Sequence, residues 1–492
     1  MRRNHSPKTS ILVLLALLPL GAACSSATPA VAPEEAARVQ SYIAARYTAA
    51  DVRHSFRTQF GEDIDCIDFE AQSSVKALRA QGVQVPPPPP AAPLLHPPTA
   101  DDVFFTGYPD ENGSPRSCPQ GTVPQVRLTS ERIAHAGGLD AYLRASHDKA
   151  APLGSASPQG CPATQNYAWV TSTVQTSEPI NAGGTTMAVY KPTLPTGAFN
   201  SHSLSEAWLV TGTGSGCAGS SVQSIEVGWH VHDQYEGDYN THLFIFATND
   251  GYATTGCYNN DDKPGYGGPA TCLPFVLTSS VFTPGMTLTA STLGSTSVRE
   301  LTTTTSFGEL MPQDPGPNAW FLTLSATGIA PQQLGYYPAS DFTGGLRVGE
   351  GATYEVGGEV EDNTGQVDPF TSIQMGSGNG PELGIGDSAY HHDVWALTQS
   401  GRVTALGGWY ENESLYYQYA YPPSSPPGAA GWSNFFFYGG GGAPYCLEYP
   451  NVYPCNRKLR PGVVTGGEEP DSLGGGFKPG TPQAQSAPKA RP

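Results

Sequence analysis

Ser224-Ile225-Glu226-Val227-Gly228-Trp229-His230-Val231-His232 alternates at the two-residue period of a β-strand. Ile225, Val227, Trp229 and Val231 fall on one face, and Glu226, Gly228, His230 and His232 on the other. The first face belongs to a core. On the second, a carboxylate stands beside a glycine, where a bulkier side chain would cover the acid. Tyr354, Val356, Gly358 and Val360, alternating with Glu355, Gly357, Glu359 and Glu361, repeat the arrangement. Two such strands can set two carboxyls facing each other in one groove. Close carboxyls split their protonation and supply one base and one acid, which suits acid/base hydrolysis. The same pattern also describes the solvated outer face of an ordinary antiparallel sheet.

On either side of these stretches the chain reads as strands separated by turn residues: 167–170, 186–190, 205–210, 241–246, 275–277, 286–288, 298–304, 320–325, 372–375 and 394–397. Many short strands at this spacing predict antiparallel sheets in a sandwich or barrel. No constant period supports a propeller or solenoid. In 492 residues there are 58 Gly and 46 Pro, and charged residues make up only 14%, which fits a turn-rich all-β chain. The net charge of -18 argues against nucleic acid as a partner. Lys191, Lys263, Arg299 and Arg347 are the only lysines and arginines from Ala151 to Ser400. Such a domain loses charge as its carboxylates protonate, which predicts acid tolerance.

The N-terminus has the form of an export signal. Arg2, Arg3 and Lys8 precede an apolar run from Ile11 to Leu20, then Gly21-Ala22-Ala23-Cys24. Cleavage after Ala23 and lipidation of Cys24 both fit, although Gly21 stands where a lipoprotein signal usually has Leu. Eight cysteines remain beyond Cys24, an even set that favours disulfides outside the cytoplasm. Cys257 with Cys272 and Cys446 with Cys455 are the expected short-range pairs. The pairing of Cys66, Cys118, Cys161 and Cys217 is open. Glu34 to Tyr47 and Ser73 to Ala80 have helical spacing, as does a patch from Leu128 to Ala145. The prolines from Pro86 to Pro98 cannot enter a sheet interior. The expected order is a leader (1–23), a small mixed module (24–82), a Pro-rich linker (83–100), a junction (101–160), a β domain (161–440), and a Cys-containing extension with a Gly/Pro/Ser/Ala tail (441–492).

Ser224-Ile225-Glu226-Val227-Gly228-Trp229, Asp250-Gly251-Tyr252, Thr255-Gly256-Cys257-Tyr258-Asn259, Leu334-Gly335-Tyr336-Tyr337-Pro338, Gly357-Gly358-Glu359-Val360, Gln374-Met375-Gly376-Ser377-Gly378 and Pro381-Glu382-Leu383-Gly384-Ile385-Gly386 resemble, in order, the core of the neprosin family. Cys118-Pro119-Gln120-Gly121-Thr122-Val123-Pro124 resembles the segment that joins that family's activation region to its catalytic domain, and 61–68 resembles part of the activation region itself. The resemblance spans roughly 35–400. It implies a glutamic endopeptidase made as a pro-form, with a jelly-roll-like β-sandwich catalytic domain, a small N-terminal mixed pro-domain and an acid optimum. In the family's best-known members cleavage follows proline. Its two catalytic glutamates fall by motif on Glu226 and Glu359. The acidic insertion Asp261-Asp262-Lys263-Pro264-Gly265 and the aromatic C-terminal extension depart from the plant-type pattern and bear on substrate preference.

The implied chemistry is a water held between two glutamates, one taking its proton while the other polarises the scissile carbonyl. Gln374 is a candidate amide donor to the oxyanion, and Tyr258 and Tyr252 are candidate hydroxyl donors. The partner is then a peptide or protein substrate, with no cofactor and no metal. A monomer is expected, secreted or held at the cell surface through lipid on Cys24. His230 and His232 with Asp233 offer a zinc reading, against two exposed histidines at a groove rim. His391-His392-Asp393 reads as a turn before a strand. Ser215 in Gly212-Thr213-Gly214-Ser215-Gly216 lacks the context of a hydrolase elbow. A β-sandwich glycoside hydrolase using two Glu and a non-catalytic peptide- or glycan-binding lipoprotein are the rival readings.

Overall fold

A computed structural model describes residues 33–89, 108–109, 115–147, 167–174, 176–195, 201–212, 221–260, 266, 271–310, 318–326, 329–361, 373–411, 417–419 and 431–441. The leader, Cys24, Ser215, Asp261 to Gly265 and the cysteines at 161, 217, 446 and 455 lie outside them. Among the described residues no helix is long and apolar enough to cross a membrane.

Two antiparallel sheets make a β-sandwich. The seven-stranded sheet runs, edge to edge, Thr287–Leu288, Thr241–Thr248, Gln223–Val231, His202–Thr211, Thr353–Glu361, Tyr167–Val174 and Leu406–Glu411. Its partner sheet includes Ile329–Pro338, Asn318–Ala326, Glu300–Glu309, Ile180–Ala188 and Ala389–Thr398. Ile225, Val227 and Trp229, with Tyr354, Val356 and Val360, join the core between the sheets. The Trp229 indole crosses that core to donate to the Ala188 carbonyl (2.9 Å).

The opposite face of the seven-stranded sheet is covered as well, so the solvated-face alternative fails. Helices Pro33–Arg46, Ser130–His135 and Leu139–Ala145 pack Tyr42, Ile133, Leu139 and Tyr142 onto Leu204, Phe244 and Phe246 of the sheet. The predicted patch from Leu128 to Ala145 is thus two helices. Gly137 and Gly138, at φ of 95° and 104°, break it in a conformation that strains other residues. Thr129 caps the first of the pair, accepting from the Arg132 N–H at 3.2 Å.

A tethered module separated by a linker was the expectation, and the structure departs from it. Asp63–Asp68, before the Pro-rich stretch, pairs with Thr122–Val126, after it. The Cys66–Cys118 disulfide joins the same two segments. One N-terminal unit results, and Gln72 fixes it to the sandwich by hydrogen bonds to the backbone of Leu277 (both 2.9 Å).

Glycines set how closely the strands approach. A Cβ on Gly357 would lie 2.1 Å from the Val170 carbonyl oxygen, and one on Gly228 2.0 Å from that of Ser205. Gly357→Ala is expected to lower stability by about 1–3 kcal/mol, read from the denaturation midpoint. An unchanged midpoint would show that the strands yield there.

Candidate active site

The register places the charged residues of three adjacent strands in rows on the covered face. Glu355, Trp208 and Glu226 lie opposite one another in one row, Gly357, Glu206 and Gly228 in the next, and Glu359, Leu204 and His230 in the third. Glu361 and His202 begin a fourth. Glu226 and Glu359 therefore share one face of one sheet, two strands and two side-chain steps apart. Glu206 stands between them on the central strand, diagonal to both, at the roughly 7–8 Å of such neighbours. Both of its cross-strand partners are glycines, so no side chain flanks it in its own row.

All five carboxylates, Glu206, Glu226, Glu355, Glu359 and Glu361, are buried, none more than 3% exposed. Buried charge must be paired, hydrogen-bonded or neutralised. Each solution is found here. Glu226 Oε1 accepts from the Ser224 hydroxyl and the Tyr252 hydroxyl, each at 2.5 Å. Tyr252 makes that bond from a φ of 64°, in the strained left-handed region, just before Ala253, Thr254 and Thr255, whose N–H groups donate to Asp250. Glu355, which accepts from the Thr353 hydroxyl at 3.2 Å, is pushed up by burial to about 7. Glu359 and Glu361 flank His202 at 3.5 and 3.1 Å. Burial pulls that imidazole down, but the two glutamates more than offset it and leave it at about 9.

Tyr258 sits beside the carboxylates, in the turn held by the Cys257–Cys272 disulfide. Its ring meets those of His230 (5.0 Å), Phe246 (5.3 Å) and His202 (6.1 Å). Burial, and then the charges of Glu359, Glu206, Glu361 and Glu226, hold its hydroxyl well above the usual tyrosine range. That hydroxyl has no hydrogen-bond partner among the described residues. A buried donor left unsatisfied is costly, and a ligand oxygen would satisfy it.

Gln374 lies elsewhere. Its side-chain oxygen accepts from the Thr193 N–H (2.8 Å), and Met375 packs under Gly358 on the core side of the sheet. His230 and His232 are fully buried rather than exposed at a rim. His230 bonds Glu236 (2.8 Å), yet burial holds it down at about 4. His232 stacks on His202 at 5.3 Å and is driven well below the ordinary histidine value, first by burial. Among the described residues no group of three or more His, Cys, Asp or Glu has a metal-binding arrangement. His391 and His392 lie within the strand Ala389–Thr398 rather than in a turn before it, with Asp393 at a φ of 50° in a break of register.

The N-terminal unit closes the site. The Tyr258 N–H donates to the Ser146 carbonyl (2.7 Å), His147 Nδ1 meets the Gly256 carbonyl oxygen (2.5 Å), and Gln234 donates to the Ala136 carbonyl (3.0 Å). Arg132 pairs with buried Glu236.

Residues 199–441 match the family model described as Neprosin. Among solved structures, the chain is similar to scytalido-glutamic peptidase with a peptide-based transition state analog, at 8% identity and a TM-score of 0.29, over 56% of this chain and 97% of that one. A second structure of that peptidase, with a transition state analog inhibitor, gives 8%, 0.30, 56% and 98%. SCP-B, a member of the Eqolisin family of peptidases in complex with the tripeptide Ala-Ile-His, gives 8%, 0.27, 56% and 97%.

Proposed function

We propose, for a chain that carries a neprosin domain over residues 199–441, the function of an exported glutamic endopeptidase made as an inactive precursor. One observation carries the reading beyond the family: Glu226 and Glu359 share a sheet face that the chain's own N-terminal unit covers. A peptidase precursor needs such a cover, whereas a finished binding surface does not. Export is supported by the disulfides Cys66–Cys118 and Cys257–Cys272.

In the uncovered enzyme one glutamate, as carboxylate, takes a proton from water while the water oxygen bonds to the scissile carbonyl carbon. The other, protonated, hydrogen-bonds the carbonyl oxygen as charge develops there. On collapse the C–N bond breaks and the proton held by the first glutamate passes to the leaving amine. Tyr258 donates to the same oxyanion. Tyr258→Phe is then expected to lower kcat about a hundredfold with KM nearly unchanged. A fall in kcat/KM that lies in KM alone would make Tyr258 a binding residue. The rings of Tyr258, Phe244 and Phe246 suit a proline ring beside the cleaved bond.

The test is incubation of the full-length chain from neutral pH to about pH 4, near the carboxyl range, with a proline-containing reporter peptide. Mass spectrometry should show acid trimming of the N-terminal unit and cuts after proline. A folded protein that does neither, but releases sugar from a polysaccharide, would make the carboxylates those of a glycosidase.

A further inference from the structure

We propose that Glu355 and Thr173 form a subsite of the active-site groove that takes the backbone C=O and N–H of one substrate residue, about three residues from the cleaved bond. This rests on the peptidase reading above and deepens it by naming a place where the same site holds its substrate.

The geometry comes from the register. Thr173 is the cross-strand partner of Glu355, so the row that holds Glu226, Trp208 and Glu355 continues through Thr173 and ends at Gly407, on the edge strand Leu406–Glu411. With glycine at that end, no side chain closes the row. Glu355 and Thr173 are buried, at 0% and 7% exposure. Glu355 Oε2 and Thr173 Oγ1 nevertheless have no hydrogen-bond partner among the described residues. Two neighbouring buried polar atoms left in that state are costly, and one ligand segment that both accepts and donates satisfies them together. Strand spacing and rise per residue put the pair about 10 Å from the midpoint between Glu226 and Glu359. An extended peptide covers that distance in about three residues.

Such a peptide is the matching ligand. In an extended chain the C=O and N–H of one residue point to the same side, as they do when two strands exchange a pair of bonds. The Thr173 hydroxyl accepts from the N–H, and Glu355 donates to the carbonyl oxygen. Glu355 can donate only as the un-ionised acid, because an ionised carboxylate accepts alone. Burial favours that form and pushes the carboxyl up to about 7, against the weaker opposing effect of the Thr353 hydroxyl. The ionisable groups around it are Glu206, diagonal on one neighbouring strand, Glu226, beyond Trp208 in the row, Glu359, four residues along its own strand, and Tyr252, which packs against Trp208. Negative charge on any of them acts in the same sense as burial. Above about pH 7 the donor is lost and a carboxylate faces the substrate carbonyl, so binding weakens as pH rises.

The test is KM for the reporter peptide, measured from about pH 5 to about pH 8 on full-length chains that have trimmed themselves in acid. In the wild type KM should rise about tenfold over that range as the acid ionises. Glu355→Gln carries a donor and an acceptor at every pH, so its KM should stay level and lie about tenfold below the wild-type value near pH 8. Thr173→Val should raise KM several-fold throughout and keep the wild-type rise. The profile of kcat should be common to all three, since the interaction is made equally in the ground and transition states. Shortening the peptide to two residues on one side of the cleaved bond should abolish the rise, and shortening it on the other side should not. Cleavage with the same KM profile in wild type and Glu355→Gln would overturn the proposal and leave the peptidase reading standing. No cleavage by the folded wild type at any pH would strike that reading, and the subsite with it. A second measurement needs no activity. The Glu355 carboxyl of the untrimmed chain, identified in a carbon NMR spectrum by its loss in Glu355→Gln, should titrate near 7. Titration in the ordinary range of about 4.3 overturns the proposal even where peptide is cleaved.

Discussion

Glu226→Gln and Glu359→Gln are each expected to lower kcat on a peptide about a thousandfold or more, with the double variant little worse than either single one, because groups that act on one water fail together. The amide keeps the size of the carboxyl but can neither take a proton from water nor give one to a carbonyl oxygen. In Glu226→Gln the amide oxygen can still accept from Ser224 and Tyr252, so the melting temperature should hold, whereas Glu359→Gln also removes a partner of buried His202 and should lower it. The sharp alternative is Glu206, which the register seats between them. Should Glu206→Gln abolish turnover while Glu226→Gln or Glu359→Gln leaves it within tenfold of wild type, the working pair includes Glu206 and the two-step diagonal is too long.

The second large effect is acid uncovering. His230 lies neutral beneath the N-terminal unit, held down by burial at about 4. In an opened form it would meet water and protonate near its usual value of about 6.5. A group depressed in the closed form takes up its proton preferentially in the open one. The closed form therefore loses ground as pH falls below 6.5, by about 3 kcal/mol from His230 alone by pH 4. His232, lowered further, acts in the same sense. Glu236, held at about 2 against burial chiefly by Arg132, adds to it once pH drops below the ordinary carboxyl range. Glu62 opposes them, since burial raises its carboxyl in the docked unit and docking gains as it protonates. His202 and His242, both raised to about 9, are charged in either form across this window and lose their contribution only as pH climbs through 9. Hydrogen exchange at the Tyr142 and Leu143 amides should accelerate between pH 6.5 and 4 after correction for intrinsic rates, and His230→Asn should flatten the response. Amides equally protected at both pH values would show that acid does not open the site. This opening is local, and acid tolerance of the sandwich is a separate matter.

The alternation in 224–232 and in 353–361 gave the right faces, because one side of each strand meets the apolar core between the sheets. It misjudged the other side. A sheet covered on both faces has no solvated face to mark, and the residues that cover Glu226 and Glu359 lie far away in sequence. Glu206 was missed for a related reason. Its strand, His202–Thr211, has Leu204 and Trp208 on the acidic face and Ala207 and Leu209 on the core face, so hydrophobicity alone does not say which way Glu206 points. Gln374 reads as part of a following strand that could reach the oxyanion, but its side chain is taken by the Thr193 N–H, and position in the chain carries no information about side of sheet. The strand Ile329–Pro338 was hidden by Pro331, Gly335 and Pro338. At Gly335 a Cβ would lie 2.2 Å from the Val276 carbonyl oxygen, so the residue that reads as a strand breaker is the one that lets the edge strand pair.

The Cys66–Cys118 bridge also sets an order on release of the cover. Any cut in the proline stretch between the two cysteines leaves the fragments covalently tied, so nicking there frees nothing until the bridge is reduced. Liberation must come from a cut after His147 and before Tyr167, which detaches the whole unit as a single piece. A non-reducing gel of the processed protein would then show one released N-terminal band, and a reducing gel two wherever the prolines had also been cut. The intact released unit, still stapled, would compete with substrate for the face it left, as a diffusible inhibitor whose grip falls with dilution.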